Sequence, residues 1–238
     1  MEWTNQGVLI TGAGRGLGAA LARALAAQGA RVVAVARGPE VEAVVADIRA
    51  TGNQAWALRA DIADKDQTYA LAGSAAALAG AVDVVIHNAS TLGPLPLAPL
   101  LDLACEDLQA VLETNLVGPF RLSKALVGPM LVRGRGLVVH LSSDAAVEAY
   151  PTWGAYGVSK AALDHLTRIW AAELEGTGVR FLAVDPGEMN TQMHRDAVPD
   201  ADPADLADPA TVAQTLTRWL TETEASGDRV RAADLEAS

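Results

Sequence analysis

Tyr156 and Lys160 stand four residues apart in AYGVSKAALDHL, and Ser142 and Ser143 end an apolar run shortly before them. On a helix, positions i and i+4 are neighbours, so the phenol and the ammonium share one face. A cation beside a phenol favours the phenolate, lowering a pKa of about 10 at about 1.4 kcal/mol per unit. Such a tyrosine can give or take a proton near neutral pH. The same spacing also arises by chance on amphipathic helices, as a surface pair. Ser142 and Ser143 have a plain reading too, as a helix cap. What surrounds these residues decides between the readings.

A second group of residues points to an anion. TGAGRGLG, beginning at Thr11, follows the apolar run GVLI from Gly7 and opens into a helical pattern. There Gly12 permits a sharp turn, Gly16 lets backbone approach a pyrophosphate, and Gly18 allows helix and strand to pack closely. The free N–H groups of the helix start then face the anion. Dinucleotide sites commonly carry an acid at the end of the second strand, gripping the ribose hydroxyls. Ala36 stands there, followed by Arg37. With no carboxylate at that place, Arg37 and Arg15 could clamp a 2′-phosphate through charge-assisted bonds. The expected cofactor is NADP(H) rather than NAD(H).

The elements that must position these groups repeat along the chain. Strand candidates are GVLI from Gly7, RVVAVA from Arg31, QAWALRA from Gln54, VDVVIHN from Val82, GLVVHLSS from Gly136 and VRFLAVD from Val179. A weaker seventh, DRVRAAD, starts at Asp228. Most are continuously apolar, as in strands covered on both faces. Between them lie helical patterns: a Leu17, Leu21, Leu25 stripe closed by Gly29, and a segment from Pro39 to Gly52. A long helix is expected over residues 105–131, bent at Gly118-Pro119 and Gly128-Pro129, and a last one opens at Asp208-Pro209. Repeated βα units require crossovers, so the predicted fold is α/β: one doubly wound Rossmann-type domain over residues 1–238, with a parallel sheet of about seven strands. Residues 188–207 are polar and interrupted by prolines, and read either as a substrate loop or as a merely solvated one.

Composition narrows the function classes. Half of the 238 residues are hydrophobic, enough for a full core. The net charge of -11 opposes phosphate backbones, which argues against nucleic acid as a partner. Cys105 is the single cysteine, so no internal disulfide forms. The four histidines show no metal-ligand spacing, and no metal is expected. No apolar run nears the roughly 20 residues that span a bilayer, and no cleavable leader is visible, so a cytoplasmic location with no membrane partner is the expectation.

Taken together, these motifs resemble the short-chain dehydrogenase/reductase family over nearly the whole chain and in the family's order. TGAGRGLG, with Leu17 inside it, is similar to the T-G-x-x-x-G-x-G turn. Asp61-Ile62 resembles the adenine-contacting pair, and HNAS at His87 to Ser90 the N-N-A-G element, with Asn88 and Ala89 facing the cofactor. Asn115, Ser143, Tyr156 and Lys160 match the catalytic asparagine, serine and Y-x-x-x-K, and DPGEMNT resembles the segment in which Pro186, Gly187 and Thr191 meet the nicotinamide. Two departures are His87 for asparagine and Ser90 for glycine. PTWGAYGVSK, PGEMNTQMH and SGDRVRAADL are further similar to the sepiapterin reductase and benzil reductase branch, with Asn190 where that branch has aspartate.

The resemblance implies reduction of a ketone, aldehyde or dicarbonyl to an alcohol, with Tyr156 as general acid. It implies that Ser143 holds the substrate oxygen and that Asn115 holds a water linked to Lys160. It also implies a homodimer through the helices bearing Asn115 and Tyr156, or a homotetramer. An NAD-dependent alcohol dehydrogenase with the same residues, and a non-catalytic dinucleotide sensor, are the competing readings. Expected pocket walls are LGPLPLAPL after Leu92, AAVEAYPTW before the tyrosine, and the segment bearing Met189 and Met193.

Overall fold

The apolar runs pair side by side because each must satisfy its backbone and bury both faces at once. In the computed structural model, which describes residues 2–235, they form one parallel sheet of seven strands. The strands are β1 (Gly7–Thr11), β2 (Arg31–Ala36), β3 (Ala55–Arg59), β4 (Val84–His87), β5 (Gly136–Leu141), β6 (Val179–Asp185) and β7 (Arg229–Arg231), in the spatial order β3-β2-β1-β4-β5-β6-β7. The order reverses between β1 and β4, which pair directly from Val8↔Val84 to Ile10↔Ile86. That is the switch point where doubly wound sheets open a crevice.

Alternate residues of each strand feed two separate cores. Val8, Ile10, Val32 and Val184 pack beneath α1 (Gly16–Ala27), α2 (Glu40–Ala50) and α8 (Pro209–Glu222). Leu9, Val33, Val85 and Phe181 pack beneath α3 (Thr68–Ala79), α5 (Gly118–Arg133) and α6 (Gly154–Glu173). Asp208 caps α8, accepting the Ala210 N–H at 3.1 Å, with Pro209 as the first helical residue. The doubly wound architecture expected from the alternation is the one observed.

Three local expectations are corrected. The long helix changes type just before its first glycine-proline pair and runs on through the second. α4 (Cys105–Leu112) passes instead into a π-helical turn, Glu113–Val117, and α5 then runs through Pro129 to Arg133. Pro119 falls in the first turn of α5, where no N–H is needed, so it breaks nothing. The seventh strand has only three residues, and the following Ala-Ala-Asp enters α9 (Ala232–Leu235). Residues 188–207 contain α7 (Gln192–Ala197) and a short 3-10 turn, and their ends are tied by Asn190 N–H to Ala207 O (2.9 Å) and Ala207 N–H to Glu188 O (3.1 Å).

Beneath the sheet's carboxyl edge two imidazoles face each other. His87 and His140 sit opposite in register on β4 and β5, with ring centroids 5.0 Å apart, 2% and 0% exposed. Ser123 Oγ meets His87 Nε2 at 2.9 Å, and Thr167 Oγ1 meets His140 Nδ1 at 2.7 Å. Burial disfavours the charged ring, lowering His87 from 6.5 to about 3 and His140 well below its ordinary value. The unfolded chain therefore binds protons that the native one refuses. Stability falls as pH drops from 6.5 towards 3, by up to about 1.4 kcal/mol per pH unit for His87. Urea unfolding at pH 7 and pH 4.5 should show a smaller acid loss in His87→Asn than in the wild type; equal losses would exclude His87 as the source.

Candidate active site

The glycine turn is shaped by what presses on it. Gly12 has φ +67°, and a Cβ there would lie 2.7 Å from Ala89 Cα and 2.8 Å from Asn88 Nδ2. Asn88 ties the ends of β1 and β4 together: its Nδ2 donates to Thr11 O and Gly12 O, both at 3.0 Å, and its N–H donates to Thr11 Oγ1 at 3.1 Å. Ala89 N–H uses the same hydroxyl at 3.1 Å. Gly18 is buried against the Gly12 carbonyl. α1 then starts at Gly16 with no side-chain cap and no acid in its first turn, so its free N–H groups suit an anion.

This turn forms one wall of a cleft of about 600 Å³. Gly12, Arg15, Gly16, Leu17 and Thr191 line its middle: a Cβ on Gly16 would touch Thr191 Cγ2 at 3.4 Å. Arg37, Asp61 and Ile62 line it beyond β2 and β3, and Asn88 and Ala89 beyond β4. A cradle of backbone with no room for side chains, closed by an uncapped helix start, fits a dinucleotide pyrophosphate. Ten of the expected cofactor residues thus converge.

The reading of the ribose end is incomplete. Ala36 leaves no carboxylate at the end of β2, yet Glu40 supplies one. Its side chain folds back over Gly14 and Gly38, occupying the space where Cβ atoms on those glycines would stand, and it lines the same cleft. Asp61 also stands 3.8 Å from Arg37, so that guanidinium is already shared. Glu40 escaped notice because it lies four residues past the strand, and only the turn at Gly38-Pro39 brings it back.

Ser143, Tyr156, Lys160, Pro186 and Gly187 do not line this cleft. Tyr156 adjoins it through Leu92 and Met193, which face the cleft and pack with the tyrosine, Ala145, Leu97 and Trp153 in a third apolar cluster. The three segments expected as pocket walls therefore meet around the tyrosine. Trp153 meets the Tyr156 ring edge-on at 5.8 Å. Ser143 caps a short 3-10 turn, accepting Ala145 N–H at 3.2 Å and donating to Asp144 Oδ1 at 2.9 Å. Pro186 and Gly187 follow β6, with the Gly187 N–H donating to Asp185 Oδ1 at 3.0 Å.

The expected acidification of Tyr156 is overturned. Its phenol is pushed up to about 12, first by burial and then by the Asp185 and Asp144 charges, with only Ser143 acting against them. Lys160 is itself buried, and desolvation lowers it to about 8. Its Nζ donates to Leu141 O at 2.6 Å and lies over the tyrosine ring, 5.5 Å from its centre. One helical turn does bring the two side chains together. Desolvation outweighs their attraction.

Asn115 occupies the π-helical turn and is 1% exposed. Its Nδ2 donates to Thr91 O and Ser159 Oγ, both at 2.9 Å, and its Oδ1 accepts Thr91 N–H at 2.8 Å and Ser90 Oγ–H at 3.1 Å. All four positions of the amide are filled. Any water it holds for Lys160 must use the main chain. Ser90, where the family has glycine, gains a bond that glycine cannot make.

These motifs have counterparts elsewhere. A family model described as short chain dehydrogenase matches residues 6–202. The chain belongs to the short-chain dehydrogenase/reductase family. It is 36% identical over 189 residues to a short chain dehydrogenase of Pseudocercospora fijiensis, spanning 78% of this chain and 60% of that longer one. It is 37% identical over 193 residues to a 3-oxoacyl-acyl-carrier-protein reductase of Synechocystis, spanning 80% and 76%. A solved short chain dehydrogenase from Shigella flexneri, complexed with NADP, superposes with a TM-score of 0.89 at 28% identity, covering 98% and 99% of the two chains. The protein is thus an oxidoreductase of this family, which binds a nicotinamide dinucleotide. Among the described residues no helix is long and apolar enough to cross a membrane, and no His, Cys, Asp and Glu group could hold a metal.

Asn115→Leu should orphan the Thr91 N–H and O, while the Ser159 hydroxyl keeps its bond to Tyr156 O, costing about 2–4 kcal/mol. Urea unfolding measures the loss, and faster amide exchange at Thr91 locates it.

Proposed function

We propose that this family member is an NADPH-dependent carbonyl reductase acting on a neutral ketone, aldehyde or dicarbonyl. The observation that carries this reading is the meeting of Tyr156 with the Ser143 hydroxyl and the Lys160 ammonium, the tyrosine standing behind an apolar wall that opens on the switch-point cleft. The Gly12, Gly16 and Leu17 backbone would hold the pyrophosphate, with Gly18 closing the turn. Asp61 and Ile62 would hold the adenine, Asn88 and Ala89 the cleft wall, and Pro186, Gly187 and Thr191 the nicotinamide. When bound, the dinucleotide supplies the hydride.

The chain's own residues do the rest. Ser143 Oγ fixes the substrate oxygen beside the phenol. Tyr156, raised to about 12, stays protonated at neutral pH and is well suited to donate its proton as negative charge develops on that oxygen. Lys160, lowered to about 8, keeps its cation below that pH and stabilises the phenolate left behind. Asn115 braces the loop after β4 against α6. Leu92, Leu97, Trp153 and Met193 exclude water and suit an apolar carbonyl. Residues 188–207 supply the substrate-facing loop, within one catalytic domain spanning residues 1–238.

Asp144, Glu148 and Glu188 gather on the outer side of Tyr150 and disfavour an anionic substrate. Phe120, Val158 and Ile169 expose apolar surface on α5 and α6, which supports a homodimer through those helices. A homotetramer is the alternative assembly, and the proposed location is cytoplasmic.

Glu40 favours a second reading, an NAD-linked alcohol dehydrogenase, because its carboxylate opposes a 2′-phosphate. Calorimetric titration with each dinucleotide decides between them. NADPH should bind about tenfold tighter than NADH, Arg37→Ser should erase the difference, and Glu40→Gln should widen it. Tighter NADH binding by the wild type would overturn the first reading. Separately, Tyr156→Phe should lower turnover across a panel of ketones, aldehydes and dicarbonyls by about 10³-fold while NADPH binding is kept. Full turnover in that variant would remove the assigned acid.

A further inference from the structure

Arg229 stands at the edge of the sheet, in β7, with its side chain 22% exposed. Its Nε donates to Asp164 Oδ2 at 2.9 Å, and its Nη2 donates to Asp185 Oδ2 at 2.9 Å and to Ser143 O at 2.8 Å. The two carboxylates are 8% and 4% exposed. Three segments meet on one guanidinium: the residue after β5, the end of β6, and α6 one turn beyond Lys160. We propose that Arg229 is a positioning residue of the catalytic site, holding Ser143 and the Asp185-Pro186-Gly187 segment in register with the helix that carries Tyr156 and Lys160. This rests on the catalytic reading of Ser143 and Tyr156.

Each contact reaches a different part of that site. Ser143 is gripped by its carbonyl, so the clamp does not compete for the hydroxyl, whose partners are Asp144 Oδ1 and the Ala145 N–H. Asp185 is shared: Oδ2 takes Arg229 while Oδ1 takes the Gly187 N–H, so the turn after β6 is fixed through the same carboxylate. Asp164 links the clamp to α6. The arrangement also balances charge. Asp164, Asp185 and Asp144 surround Ser143, Tyr156 and Lys160, and Arg229 is the cation bonded to the first two. Without it, both buried carboxylates would lose the cation bonded to them. A planar fork with five donors can reach three acceptors on separate segments. A lysine ammonium is a compact charge on a flexible stem and cannot match that geometry.

The test compares wild type, Arg229→Lys, Arg229→Met and Tyr156→Phe. Four quantities are measured for each: the single-turnover rate of NADPH absorbance loss, KM for the carbonyl, the NADPH dissociation constant by calorimetry, and the melting temperature. A positioning role predicts a single-turnover rate lowered about 10-fold in Arg229→Lys and about 100-fold in Arg229→Met, because small misplacements of reacting groups are costly in rate. KM and NADPH affinity should stay within about threefold in both. Should Arg229→Met fail to fold, Arg229→Lys, which keeps a cation between the acids, decides alone. A wild-type rate in Arg229→Lys, or a loss carried by KM or NADPH affinity with the rate unchanged, overturns the proposal. Tyr156→Phe separates the two layers. If it is inactive while the Arg229 variants turn over normally, only the clamp is lost; if it is fully active, the catalytic reading falls and takes the clamp with it.

Discussion

A parallel ladder sends every strand's carboxyl end to the same edge of the sheet, and the proposed site of this protein lies along that edge. Gly12 follows β1, Arg37 β2, Asp61 β3, Asn88 β4, Ser143 β5 and Pro186 β6, each within two residues of its strand. Arg229, from β7, closes the row at the far end. No loop has to reach far, because the register of the strands has already aligned the groups. The reversal between β1 and β4 parts the flanking crossovers and leaves a crevice where the row passes its middle. Asn88 and Thr11 bind the two strands at that point, so the crevice is rigid where the glycine turn must be most exact.

Tyr156 and Lys160, the proposed proton-handling pair, show how burial can reverse an expectation read from the sequence. Adjacent phenol and ammonium suggest mutual stabilisation of their charged forms. Once both are enclosed, each loses more from the removal of water than it gains from the other, and both shift towards neutrality. The outcome is a firmly protonated phenol beside a lysine whose charge lies within reach of ordinary pH. A tyrosine of that kind serves better as a donor than as a base. The same desolvation holds His87 and His140 neutral under the sheet.

Periodicity and glycine placement made the fold and half of the site legible in advance. The apolar runs became strands because nothing in a doubly covered sheet competes with them, and TGAGRGLG could only turn where Gly12 and Gly16 turn. What escaped reading shares a cause: it depends on partners distant in sequence. Glu40 belongs to the cleft only because the chain folds back at Gly38. Arg229 meets Ser143 across 86 residues and Asp164 across 65. The π-helical turn around Asn115 is set by Thr91 and Ser159, not by the nearby prolines that looked like breakers. Residues 192–197 form a helix although their composition suggested irregular chain, because Thr191 caps them through the His194 N–H.

That π-helical turn has a consequence for how the sequence can vary in length. It accommodates one residue more than an ordinary turn by widening locally, so α4 and α5 keep the rotational phase of an uninterrupted helix. Deleting any one of Glu113–Val117 would restore plain helix and leave Val111 enclosed, but the widened turn is what carries Asn115. Without it the amide would be turned away from the Thr91 main chain and Ser159. A one-residue shortening here would spare the packing of the flanking helices and be felt at the site alone.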